Sequence, residues 1–152
     1  MASTLEYAKL SQAVYNGEDV QGWRTVARPS PELQQSGFYG AAYQNVATGE
    51  IVIAYRGTEP WSDLFKDLLT TDGKIAAGAE DQQFVDALAF AKNVQDTYQG
   101  LGNEISVTGH SLGGGLAQLA ADTFGWDGVT FEAPGMGHGG PVPGAIPEVI
   151  DG

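Results

Sequence analysis

The sequence predicts a single α/β domain with a mostly parallel sheet and flanking helices. Three observations lead there. Apolar stretches at residues 38–46 and 51–55 meet at Ala47-Thr48-Gly49-Glu50 and read as a hairpin. A 3.6-residue apolar period covers residues 81–98. Then come a short β-branched stretch, Glu104-Ile105-Ser106-Val107-Thr108, a glycine-rich turn, an amphipathic stretch to about residue 124, and a second strand at 129–131. Strand–helix–strand after a leading hairpin calls for parallel strands joined by helical crossovers.

The elements follow in order. Ser3-Thr4-Leu5-Glu6 has the form of a capping box, a hydroxyl N-cap with a carboxylate three residues on. Leu5, Ala8, Leu10, Ala13 and Val14 carry a helix from there to Asn16-Gly17. Residues 22–27 form a short strand, broken off by Pro29 and Pro31. After the hairpin, a short helix is expected at 61–69, behind Glu59-Pro60, and a loop with two glycines at 70–79. In the 81–98 helix Phe84, Ala87, Leu88, Ala91, Val94 and Tyr98 share one face, while Asp86, Lys92, Asn93 and Asp96 fall elsewhere. Gln99-Gly100-Leu101-Gly102-Asn103 ends it. Residues 136–152 have no helical or strand period and read as an extended or loop-like tail.

A chain of 152 residues with 42% apolar residues is an ordinary globular domain, able to bury about two-thirds of its unfolded surface. Its net charge of −12 argues against nucleic acid or an anionic membrane as an electrostatic partner. Without cysteine there is neither a disulfide nor a thiolate zinc site. No apolar run reaches transmembrane length, and the N-terminus lacks the basic start and apolar stretch of a signal peptide.

Gly109-His110-Ser111-Leu112-Gly113-Gly114 carries the functional reading. A serine between two glycines, after a strand and before a helix, is the arrangement of a nucleophile elbow, whose tight turn exposes the hydroxyl at the strand end. Ser111 is then the nucleophile, and the N–H of Leu112, at the helix N-terminus, faces the oxyanion formed on acyl transfer. A glycine-rich turn into a core helix would give the same letters in a chain with 22 glycines. The strand before and the helix after separate the two readings.

This segment, with Ala117 following, resembles the nucleophile region of the class 3 (fungal-type) lipases of the α/β-hydrolase superfamily. Two further blocks agree in family order: Ile51-Val52-Ile53-Ala54-Tyr55-Arg56-Gly57-Thr58 with Ser62-Asp63-Leu64-Phe65-Lys66-Asp67-Leu68, and Val129-Thr130-Phe131-Glu132-Ala133-Pro134-Gly135. The resemblance implies an α/β-hydrolase core that lacks its C-terminal strands here, the chain being the N-terminal part of a longer hydrolase. It implies a serine hydrolase of lipase, esterase or phospholipase A type, acting on lipid esters through an acyl-enzyme on Ser111, with no metal or organic cofactor. Thr58 is implied as the second oxyanion donor; capping the helix that follows is its plainer role. Arg56 and Asp67 are implied as a structural ion pair, with a headgroup-binding role for the arginine as the alternative. Trp61, Leu64, Phe65 and Leu68 resemble a lid or acyl-contact segment, with Trp61 against the substrate; a short helix docking on the core reads equally well. The expected partners are a lipid or other ester substrate and a transient lipid interface, and the family favours secretion.

Such an enzyme also needs an acid and a histidine, in the order serine, acid, histidine. Of the two histidines, His110 precedes the serine and is read as packed and structural, leaving His138. Gly137-His138-Gly139-Gly140 follows the nucleophile strand and so is no oxyanion segment of the His-Gly-Gly kind. Asp122, Asp127 and Glu132 lie between serine and His138, Glu132 at a strand end being the best placed. Three readings stay open. A missing C-terminal segment or a second polypeptide supplies the Asp and His, or His138 is an unusual base, or the domain is an inactive binding or interaction module.

Overall fold

Local signals set the first helix. Ser3 Oγ accepts the Glu6 N–H at 3.1 Å and Glu6 Oε1 accepts the Ser3 N–H at 3.1 Å, closing the capping box of α1 (Thr4–Asn16). Gly17, at φ 72°, ends it in the left-handed conformation open to glycine. The computed structural model describes residues 1–57, 79–131 and 147–150. The helix expected at 61–69, nearly all of the 70–79 loop and most of the 136–152 tail lie outside them.

The other described elements are β1 (Trp23–Ala27), a 3₁₀ turn (Pro31–Gln34), β2 (Tyr39–Asn45), β3 (Ile51–Arg56), α2 (Ala79–Tyr98), a 3₁₀ turn (Gln99–Leu101), β4 (Ile105–His110), α3 (Leu112–Phe124), β5 (Asp127–Phe131) and β6 (Pro147–Ile150). The strands form one six-stranded sheet in chain order. β3, β4 and β5 are parallel, as the helical connections demand, whereas the β1–β2, β2–β3 and β5–β6 pairings are antiparallel. The sheet is therefore mixed, parallel only at its centre. The leading hairpin has a connection too short for a parallel crossover. The strand at Pro147–Ile150 departs from the expected loop. It is four residues long, too short to register a period, and begins on proline, which a first strand position tolerates.

Two crossovers stepping the same way across the sheet put α2 and α3 on one face. There Ile51, Ile53 and Tyr55 of β3 pack with Ala87, Phe90, Ala91 and Val94 of α2 and with Leu116, Ala117 and Ala120 of α3. Val52 and Ala54, pointing the other way, pack with Tyr7, Leu10, Ala13 and Val14 of α1. The face expected for α2 is the buried one, with Phe84, Leu88 and Tyr98 at its margin. Asp86 is buried as well, because Ser36 Oγ and Gln82 Nε2 donate to its carboxylate at 2.6 and 2.9 Å.

α1 turns differently from expectation. Leu5 is 63% exposed, and Tyr7 is fully buried in its stead. The phenol takes an inward position because its polar tip is satisfied: it donates to Ser106 Oγ on β4 at 2.7 Å. Burial pushes the Tyr7 hydroxyl pKa up to about 12.

Glu6 does double duty, its Oε2 accepting the Trp23 indole N–H at 2.9 Å and tying α1 to β1. The Ser3 N–H first, then the indole, hold its carboxyl below the ordinary 4.5. A carboxylate lowered in the folded state adds stability that is present above its unfolded value and lost as pH falls through the folded one. The stability difference between wild type and Glu6→Gln is thus expected to be flat above about pH 5.5 and to shrink below the ordinary carboxylate value. Urea melts across pH check it; a difference that stays constant down to about pH 3 would contradict the assignment.

Candidate active site

β4 passes into α3 through Ser111, at φ 65° and ψ −130°. It is the one non-glycine residue with positive φ among the described residues. Such a backbone costs about 1–3 kcal/mol and persists only where its surroundings fix it. Here the Ser111 N–H donates to the Phe131 carbonyl on β5 at 2.8 Å. Its own carbonyl accepts from the Gly114 and Gly115 N–H groups at 2.9 and 3.3 Å, forming the first turn of α3. The flanking glycines have a steric reason. A Cβ on Gly109 would stand 2.2 Å from the Gly113 carbonyl oxygen, and one on Gly113 would stand 2.2 Å from that of Tyr55. Backbone meets backbone where β3, β4 and α3 converge.

Ser111 occupies the N-cap position of α3, yet its side chain makes no capping hydrogen bond. In contrast to the exposed hydroxyl expected of the elbow, Ser111 is 2% exposed, and Leu112 is buried beside it. As the first residue of α3, Leu112 presents an N–H with no acceptor inside the helix, at the positive end of the helix dipole.

The end of β3 lies against the same turn. A Cβ on Gly57 would come within 3.2 Å of both the Gly113 nitrogen and the His110 carbonyl oxygen, and within 2.9 Å of the Tyr15 hydroxyl. Tyr15, in the last turn of α1, accepts the Gly57 N–H at 2.9 Å and donates to the His110 carbonyl at 3.2 Å. The His110 ring packs edge-on against the Tyr15 ring, centroids 6.2 Å apart. Tyr15 is a site residue that no motif in the sequence marks. Its signal is the four-residue spacing of Tyr7, Ser11 and Tyr15, a row of polar-tipped side chains along α1.

Arg56 spreads its guanidinium over the Tyr39 ring, 4.6 Å from the centroid, and Arg28 donates to the Tyr39 hydroxyl. Asp67, its implied partner, lies outside the described residues, as do Thr58, Trp61, Leu64, Phe65, Leu68, Glu132 and His138. Asp127 pairs in register with Ser106, while Phe131 pairs with His110, so Asp127 sits at the far end of β5. Four strand residues separate it from the elbow level, about 13 Å. Asp122 is in the last turn of α3, about 16 Å along the helix from Ser111. Neither can orient a base at the serine.

A strained serine between strand and helix, on a mixed sheet covered by helices on both faces, is the arrangement of an α/β-hydrolase core. The fold resembles that of Yarrowia lipolytica LIP2 lipase (TM-score 0.59, 19% identity, 84% of this chain and 57% of that one). It also resembles Rhizomucor miehei lipase in its propeptide complex (TM-score 0.53, 19% identity, 79% and 47%). In sequence, the chain is 37% identical over 101 residues to an extracellular phospholipase A1 of Serratia liquefaciens, covering 66% of this chain and 28% of that protein. The chain thus spans little more than a quarter of that relative and about half of the two lipases. Residues 6–139 match the Tle-like phospholipase domain, and the chain belongs to that phospholipase-like family.

The elbow yields a stability prediction that is independent of activity. Glycine adopts positive φ at little cost, so Ser111→Gly should stabilise the protein by about 1 kcal/mol. Gly113→Ala should destabilise it by about 3 kcal/mol or more, since the new methyl group meets backbone that cannot give way. Urea denaturation checks both. A Ser111→Gly variant less stable than wild type would contradict the strain at this turn.

Proposed function

We propose that the protein containing this chain hydrolyses carboxylic esters of lipids, in the manner of a phospholipase A or lipase, with Ser111 as nucleophile. The observation that carries this reading is the strained backbone of Ser111 at the N-terminus of α3, on a chain of the Tle-like phospholipase family. A serine there can present its Oγ to an ester carbonyl while the amides beside it face the developing negative charge.

In the scheme, a histidine takes the Ser111 proton as Oγ bonds to the carbonyl carbon. The resulting oxyanion is held by the N–H of Leu112 and by the N–H and hydroxyl of Thr58, the residue after Gly57. Collapse breaks the ester C–O bond, the leaving alcohol takes the proton from the histidine, and the acyl group remains on Ser111. Water then attacks, giving its proton to the histidine, and the carboxylic acid is released with the serine restored. We assign the histidine and its acid to the part of the protein corresponding to the relatives' remaining length, in cis or on a second polypeptide. Asp122 and Asp127 are too distant to serve, and the chain alone should turn over esters barely above background. Trp61 is proposed as an acyl-chain contact, and the Arg56–Asp67 pair as the brace of the loop between them.

A fluorophosphonate probe applied to the full-length protein, with mass-spectrometric mapping, tests the assignment. The adduct is expected on Ser111, and Ser111→Ala should lose phospholipid and p-nitrophenyl ester hydrolysis by about 10⁴-fold or more. Labelling at another residue would overturn the choice of nucleophile. No labelling and no turnover would favour an inactive module that binds without cleaving.

A further inference from the structure

The ladder between β3 and β4 ends with Tyr55 opposite Gly109. Past that pair the two strands part, because β4 enters the elbow and the Ser111 N–H is given to Phe131 on β5. β3 thus loses β4 as a neighbour there, while Arg56 still pairs with Tyr39 of β2 on its other side. A side chain from a third element continues the connection. The Tyr15 hydroxyl accepts the Gly57 N–H at 2.9 Å and donates to the His110 carbonyl at 3.2 Å. One oxygen therefore joins the residue before Thr58 to the residue before Ser111. The fit leaves no slack, since a Cβ at position 57 would stand 2.9 Å from that oxygen, and the His110 ring packs against the Tyr15 ring.

We propose that Tyr15 is a positioning residue of the active site, whose hydroxyl fixes the spacing between the end of β3 at Gly57 and the Ser111–Leu112 turn. The inference rests on the ester-hydrolase reading above. Oxyanion stabilisation depends on donors already placed where charge will develop, and a misplacement of about 1 Å can cost about 100-fold in rate. The place of Gly57 against the elbow is set in part by where its N–H is held, and Tyr15 holds it. In this scheme Tyr15 touches neither substrate nor reacting atom. Its loss is felt in the transition state and hardly in substrate binding, so kcat bears the effect.

The test uses the full-length protein and the variants Tyr15→Phe and Tyr7→Phe. The second removes the other phenol link from α1 to β4, the 2.7 Å bond to Ser106, at the opposite end of the strand. With a soluble p-nitrophenyl ester, Tyr15→Phe is expected to lower kcat about 10- to 100-fold with KM within about twofold of wild type. Tyr7→Phe should leave kcat per folded molecule unchanged while lowering the melting temperature. By NMR, Gly57 amide exchange should quicken by about tenfold or more in Tyr15→Phe, with Val107 in β4 still protected. Unchanged Gly57 exchange, unchanged kcat, or a raised KM at constant kcat in Tyr15→Phe would each overturn the positioning role. If wild type shows no turnover that Ser111→Ala abolishes, the hydrolase reading fails and the inference with it. If wild type is active through Ser111 and Tyr15→Phe matches it, the inference alone fails.

Discussion

The first turn of α3 rests on bare backbone, and the geometry of the candidate site follows from that contact. Gly109 and Gly113 have no room for a Cβ: each would drive one to 2.2 Å from a carbonyl oxygen, on Gly113 and Tyr55 respectively. With side chains there, the helix would have to retreat from the sheet, and the turn at Ser111 would relax toward an ordinary conformation. Close approach keeps Ser111 at φ 65°, because its N–H is committed to β5 and its carbonyl to the helix it starts. The strain is small against the burial around it. Leu112, Leu116, Ala117 and Ala120 are all almost fully buried and anchor α3 against the sheet.

That packing also has an electrostatic consequence. The N-terminus of α3 meets the C-terminal end of β4, so the positive end of the helix dipole lies at the elbow in a protein of net charge −12. A developing oxyanion is favoured there without a charged side chain. Of the described acids that follow Ser111, Asp127 and Asp122 both lie at the remote ends of their elements.

How much of this the sequence disclosed depends on the range of each interaction. The capping box of Ser3 and Glu6 and the glycine-serine-glycine turn are local, each spanning a few residues, and both were legible. The central strands and the long helix were legible too, since β3 is buried on both faces and α2 carries a sustained period. Tyr7 replaced Leu5 in the core because its hydroxyl finds Ser106, a partner 99 residues away that no helical period can reveal. Asp86 lies off the apolar face of α2 in sequence and is buried all the same, its Ser36 partner being 50 residues distant. The strand at Pro147–Ile150 exists by pairing with β5, not by any pattern of its own. Tyr15 is the extreme case, joining residues 42 and 95 positions away, so its place at the site emerged only with the fold.

In the proposed mechanism the strained serine and the amides around it form one preorganised site for a tetrahedral intermediate. A crystal structure of the full-length protein inactivated by a phosphonate ester measures this most directly. Phosphorus is expected bonded to Ser111 Oγ, with the phosphoryl oxygen about 3 Å from the backbone nitrogens of both Leu112 and Thr58. A phosphonate carried by another residue, or one on Ser111 whose oxygen faces away from those amides, would contradict it.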